Sequence, residues 1–420
     1  MKEWMAFFIC VGLLISLASC ELPIEESTTE ETFPPLVSST TAKEPLVVVP
    51  WVKDASYAAG NSFSETPTRI LFINAGVIFY YNQMTEEIHR FCFDPLCQHD
   101  DFDCISYKFE MAGSIFQSIE YCAYNNRFYA LRGEQFCSFS FDGSDLKIEA
   151  SFGEEGKFEH LELGYLYGGL QHLNIQGKYA FFLAHDVDDG KFVLMRYDVE
   201  SGEMTRLFHD TNTYVNGYLL QKNEIYLSLV GTYSGLYRMD INGENMEFLS
   251  EEIYDCFYLG IHDEESIYMV QRRKETDETT GKSQYIYEKI VAFHPETGIS
   301  ETLLTLENGA EHILLASTER YLYYTVREAV SIGYYNMVGS PQEKFNDYSK
   351  IYRLDKESGE IVKVLDDLRI ETKSIYFVED TVFIMGVVCT PSESIAWRTM
   401  GGYIAKLDEN GMFTELDKIK

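Results

Sequence analysis

The residues with the most evident chemistry lie close together, in Cys92-Phe-Asp-Pro-Leu-Cys97-Gln-His99-Asp-Asp-Phe-Asp-Cys104. Three thiols and one imidazole offer a tetrahedral S₃N donor set of the kind zinc prefers. The spacing C-x₄-C-x-H-x₄-C is not one of the usual zinc-knuckle spacings, and an exported chain can meet oxidising conditions. A disulfide between two of the three Cys, with the third thiol free or paired to Cys122 or Cys137, is therefore a competing reading, and a set of free thiols is another. Cys256 and Cys389 stand alone in strand-like contexts and read as small apolar residues. Asp186-Val-Asp188-Asp189-Gly190 has the opening spacing of a calcium loop, but Tyr197 stands where the closing Glu belongs, and a hairpin turn explains the pattern. No nucleophile elbow, H-E-x-x-H, phosphate loop or dinucleotide fingerprint occurs. With 67 acidic residues, a carboxylate pair fit for glycoside cleavage cannot be singled out by sequence.

Chemistry of this kind needs a scaffold and a compartment. Residues 1–19 read as a signal peptide, with Met5 to Leu17 almost unbroken in apolar character, too short to span a bilayer comfortably. The run ends in Leu17-Ala18-Ser19-Cys20, which resembles the bacterial lipobox and makes Cys20 the expected lipidated N-terminus of the mature chain; an ordinary signal peptide with an incidental Cys, or an uncleaved anchor, is the alternative. Residues 20–45 turn abruptly to Glu, Ser, Thr and Pro and read as a solvated tether. Seven Cys remain after Cys20, an odd number, so at least one is unpaired or bonds elsewhere. A net charge of −33 repels a phosphate backbone and excludes nucleic acid as a partner. Thirty Tyr and 28 Phe favour strands.

Residues 46–420 repeat one pattern. A strand ends in a polar residue, passes a Gly-closed turn, and a second strand leaves it. The copies are Tyr197-Asp198-Val-Glu-Ser-Gly202, Met239-Asp240-Ile-Asn-Gly243, Phe293-His294-Pro-Glu-Thr-Gly298, Leu354-Asp355-Lys-Glu-Ser-Gly359 and Leu407-Asp408-Glu-Asn-Gly411, with weaker ones at Asn82 and Ser140. Asp or Asn bonds its own turn and Gly supplies positive φ. Ahead of each copy stands a polar turn and an aromatic strand, as in Asn223-Glu-Ile-Tyr226, where Ile225, Leu227 and Leu229 share one face. Units of about 50 residues with four short strands are the sequence form of propeller blades. The expected fold is an all-β propeller of four-stranded antiparallel blades, seven of them, with six or eight as alternatives. The innermost strand of the first blade is expected within 47–60.

With strands a to d counted outward from the axis, the b–c loops and d-to-a connectors fall on one end of the ring and the a–b and c–d turns on the other. Long loops are expected at 272–285, 327–350 and 388–402, with the connector 92–109 at the same end. Function gathers where loops are elaborated on a rigid scaffold. Tyr334, Tyr335, Tyr348 and Trp397, with Phe345, are the candidate ligand-binding residues there; the alternative is that each packs on a neighbouring blade.

The lipobox, the acidic tether, the Asp-x-x-x-Gly hairpins and Phe91-Cys-Phe-Asp-Pro-Leu-Cys-Gln-His-Asp together make the chain resemble a group of β-propeller lipoproteins of anaerobic Gram-positive bacteria. Those proteins carry a domain of unknown function and are distantly similar to low-density-lipoprotein-receptor-type propellers. The resemblance implies a propeller fold, a lipid anchor and the outer face of the cell membrane; it implies no activity. The expected function is binding of a protein or glycan without catalysis, by a monomer held to the membrane through its N-terminal lipid. A glycan-acting lyase or hydrolase with its site at the end of the channel is the alternative. Zinc at Cys92, Cys97, His99 and Cys104 is the candidate cofactor.

Overall fold

The computed structural model describes residues 56–57, 63–92, 97 and 116–419, less 75–76, 133, 142–143, 154–159, 164–172, 211, 252–260, 277–282, 307–311, 327, 331–333, 336–340, 343–344, 348–349, 366–369 and 391–396. Cys20, the signal segment, the tether, His99, Cys104 and Tyr348 lie outside the described residues.

Seven antiparallel sheets follow one another in chain order and form a seven-bladed β-propeller, with no α-helix among the described residues. Blade 4 shows the pattern plainly: Thr213–Gln221, Glu224–Gly231, Gly235–Asp240 and Glu247–Ser250 pair in sequence. In its b strand Ile225, Leu227 and Leu229 pack towards blade 3, while Tyr226 packs towards blade 5. Each blade is sandwiched between two neighbours, so both faces of its inner strands are buried and the alternation separates two apolar layers instead of core from water. Seven buried clusters result, one at each junction between successive blades, including that between the last blade and the first.

The hairpin chemistry read from the repeats is present. Asp198 Oδ1 accepts the amides of Glu200 and Ser201 at 2.9 and 3.2 Å, and Asp355 Oδ1 those of Glu357 and Ser358 at 3.1 and 2.9 Å. Asp240 and Asp408 do the same. The closing glycines at 202 and 359 have φ of 72° and 71°, and Gly411, at φ 74°, lies so close to the Tyr323 hydroxyl that a Cβ would sit 2.8 Å from it.

Ring closure differs from expectation at the N-terminus. The a strand of blade 1 is Phe63–Glu65, beyond the 47–60 window. Within that window Ser56–Tyr57 forms a strand, but it pairs antiparallel with His312–Ser317, the a strand of blade 6, and becomes a fifth, axis-side strand there. Among the described residues, blade 1 and blade 7 then meet by side-chain contacts, with no strand pairing between them. Phe63 stacks on Tyr376 with centroids 5.0 Å apart, and the Tyr376 hydroxyl donates to Glu65 Oε2 at 2.6 Å.

Candidate functional site at the long-loop end

The b–c hairpins set the two ends of the ring apart. Blades 1, 2 and 4 each join b to c through six ladder pairs before turning. Blades 5 and 7 each have ten: Ile267–Thr276 with Ser283–His294, and Thr381–Thr390 with Trp397–Leu407. Four extra pairs extend a hairpin by about 13 Å. Blade 6 lies between these two and elaborates differently. After Thr325↔Ile351 its b and c strands part, and the insertion carries two small ladders, Glu328–Val330 with Phe345–Asp347 and Tyr334–Tyr335 with Pro341–Gln342. Phe345–Asp347 lies against Ile370–Val378, the innermost strand of blade 7. The sequence reading had loops at 272–285 and 388–402; the structure makes much of both regular hairpin. Extended β ribbon holds a surface in place better than a loop does.

Among the candidate ligand residues, the backbone of Tyr334 pairs with Gln342 and that of Tyr335 with Pro341. Trp397 opens the c strand of blade 7 opposite Thr390, so it belongs to the hairpin and not to an irregular loop. All three sit on the elaborated hairpins of adjacent blades.

The Cys/His cluster divides. Cys92 and Cys97 are half-buried, and the other two members fall outside the described residues. Cys122 and Cys137 are buried as thiols, donating to the carbonyls of Gly177 at 3.5 Å and Ala130 at 3.6 Å.

Two features here escaped the sequence. The first is at the b–c turn of blade 3. Asp186 caps that turn, accepting the amides of Asp188 and Asp189 at 3.2 and 3.4 Å, and Arg206 pairs with its other oxygen at 3.0 Å. Two connector residues reach the same turn: His209 Nε2 lies 3.0 Å from Asp189 Oδ2, and His160 Nδ1 lies 2.9 Å from Asp188 Oδ2. Asp186, Asp189 and His209 bring their ligand atoms within 4.8 Å of one another, close enough to hold a metal ion. The calcium-loop spacing marked the Asp residues; only the fold brings in the histidines.

The second is Glu120, on the innermost strand of blade 2. No hydrogen bond or ion pair joins its carboxyl to another described residue, and burial pushes it up to about 8. Nearby, the fully buried Tyr218 of blade 4 donates to the Phe181 carbonyl at 2.7 Å and accepts from Asn174 at 3.0 Å. Burial, with the Glu120 carboxyl adding to it, keeps the Tyr218 phenol well above its ordinary range. A carboxyl raised in this way keeps its proton to higher pH than an ordinary glutamate and can donate it or a hydrogen bond.

No protein-family model matches the chain, and no curated protein sequence does. Among solved structures, it is similar to an oligogalacturonate lyase from Vibrio parahaemolyticus at 12% identity and a TM-score of 0.48, covering 84% of this chain and 90% of that one. An oligogalacturonate lyase in complex with manganese is similar at 9% identity and 0.47, covering 85% and 91%. A chain of a nidogen/laminin complex is similar at 8% and 0.34, covering 58% and 78%. At these identities no residue role transfers.

Proposed function

We propose that this is a lipid-anchored, extracytoplasmic propeller that binds a protein or glycan through its long-loop end, without catalysis. The observation that carries this reading is the elaboration of three consecutive b–c hairpins at one end, in blades 5, 6 and 7, while the c–d turns at the other end remain minimal. A monomeric ring has no internal need for ribbons standing about 13 Å beyond their neighbours. Rigid aromatics on such ribbons gain binding energy at small entropic cost, and truncating one anchor can cost about 2 kcal/mol or more. Tyr334, Tyr335, Tyr348 and Trp397 are the proposed contacts, and zinc at Cys92, Cys97, His99 and Cys104 is kept as a proposal for the connector. The test is Trp397→Ala, assayed for thermal stability and for binding to isolated cell walls. Lost binding at an unchanged melting temperature supports the contact. A lower melting temperature with binding retained makes Trp397 a packing residue.

The anchor has its own test. Cys20 should carry diacylglycerol, so detergent-extracted protein should show that added mass, and Cys20→Ala should be released or unprocessed. An intact mass without the lipid contradicts the anchor. A second reading, a glycan-acting lyase or hydrolase, is favoured by one observation: Glu120 is held protonated at an axis-side position, as a general acid must be. Turnover of an oligogalacturonate or cell-wall glycan that Glu120→Gln abolishes would establish it.

A further inference from the structure

We propose that the b–c turn of blade 3 is a binding site for a divalent first-row transition-metal ion, held by Asp186, Asp189 and His209. Their three ligand atoms already lie within 4.8 Å of one another. The donors come from separate elements, the turn itself and the connector that follows Glu203–Phe208, so the fold has to assemble the set. Asp186 is fixed in advance: its side chain is 7% exposed, one oxygen takes two turn amides and the other takes Arg206. Hydrogen-bonded outer partners of this kind orient a ligating carboxylate. Asp189 and His209 are 33% and 37% exposed, which leaves one side open for an ion and its waters.

Four other turns in this chain supply an internal comparison. Asp198, Asp240, Asp355 and Asp408 each cap a turn with their own carboxylate, and none gathers an imidazole among the described residues. The blade 3 turn has two more aspartates than its cap requires, and two histidines from different connectors close on them. Capping does not account for that surplus. One imidazole nitrogen with two carboxylate oxygens suits manganese, cobalt or zinc, whereas calcium takes six to eight oxygens.

Manganese is the discriminating probe, because its preference for oxygen and nitrogen donors keeps it from the thiols of the connector. Free Mn²⁺ is followed by its electron paramagnetic resonance signal during titration of the full chain in detergent at neutral pH. The expected result is one bound ion per chain, with Asp189→Asn and His209→Ala each weakening binding at least tenfold and Cys97→Ser leaving it unchanged. Both target side chains are partly exposed, and circular dichroism of each variant checks that it is folded. No loss of free signal up to millimolar Mn²⁺ overturns the site, as does parent-like binding by either variant. Displacement of Mn²⁺ by Ca²⁺ more readily than by Zn²⁺ overturns the assignment to a transition metal.

Discussion

At the scale of single residues, the sequence speaks most clearly where a side chain acts on its own backbone. The Asp column was legible because Asp198, Asp240, Asp355 and Asp408 bond amides two to four positions on, and such bonds need no distant partner. Glu120 was not legible, because a charged residue on a strand looks the same whether its environment is wet or dry. Its carboxyl is raised from 4.5 to about 8. The unfolded chain therefore loses this proton at lower pH than the folded one, and stability falls as pH rises from about 4.5 to about 8, then levels. Each pH unit in that window is worth at most about 1.4 kcal/mol, and because the Glu120 side chain is half-buried and not fully enclosed, the sum is reduced to roughly 1–3 kcal/mol. Glu120→Gln should match the parent near pH 4.5 and melt a few degrees higher at pH 8. Equal melting temperatures at both pH values would show that Glu120 is ionised in the folded protein. The surplus at the blade 3 turn shows the same limit, since His160 and His209 lie in connectors on either side of the blade and nothing in their spacing points to Asp188 or Asp189.

At the scale of elements, the four-strand unit followed from turns and aromatic strands, because a hairpin is a local structure. Strand length did not follow. Residues 272–276 read as loop because their composition is polar, and 397–402 because they show no strand alternation, yet both continue the ladders of blades 5 and 7. An antiparallel ribbon standing beyond the sheet has no apolar face to mark it, so period-two alternation fades where the hairpin leaves the ring. The axis-side strand was misjudged for another reason: Ser56–Tyr57 pairs with a strand some 260 residues away, and no local signal encodes such a partner. Its role can be measured. Replacing Ser56 and Tyr57 with Pro would remove whichever of the two amides faces the axis-side ladder. The variant should unfold at lower denaturant than the parent, and an unchanged midpoint would mean that the fifth strand adds nothing to closure.

At the scale of the molecule, seven repeats implied seven blades, and the seven inter-blade clusters show that they close into one ring. Among the described residues no sheet is shared by blades 7 and 1, and their junction includes the Phe63, Tyr376 and Phe383 rings with the Tyr376–Glu65 hydrogen bond. Truncation before Ser374 takes away blade 7 and uncovers two apolar faces together, so it should give insoluble protein. A soluble, monomeric fragment with parent-like circular dichroism would argue against a cooperative ring. The central claim is that binding resides at the elaborated end, and two variants test it side by side. In one, residues 327–349 are replaced by a two-residue turn; in the other, Met84 and Tyr124, exposed on turns at the opposite end, become Ala. Binding to isolated cell walls is measured alongside thermal melting. The account predicts that the first variant loses binding at an unchanged melting temperature and that the second binds like the parent. Retained binding by the first variant, with loss in the second, would place function at the other end and contradict it.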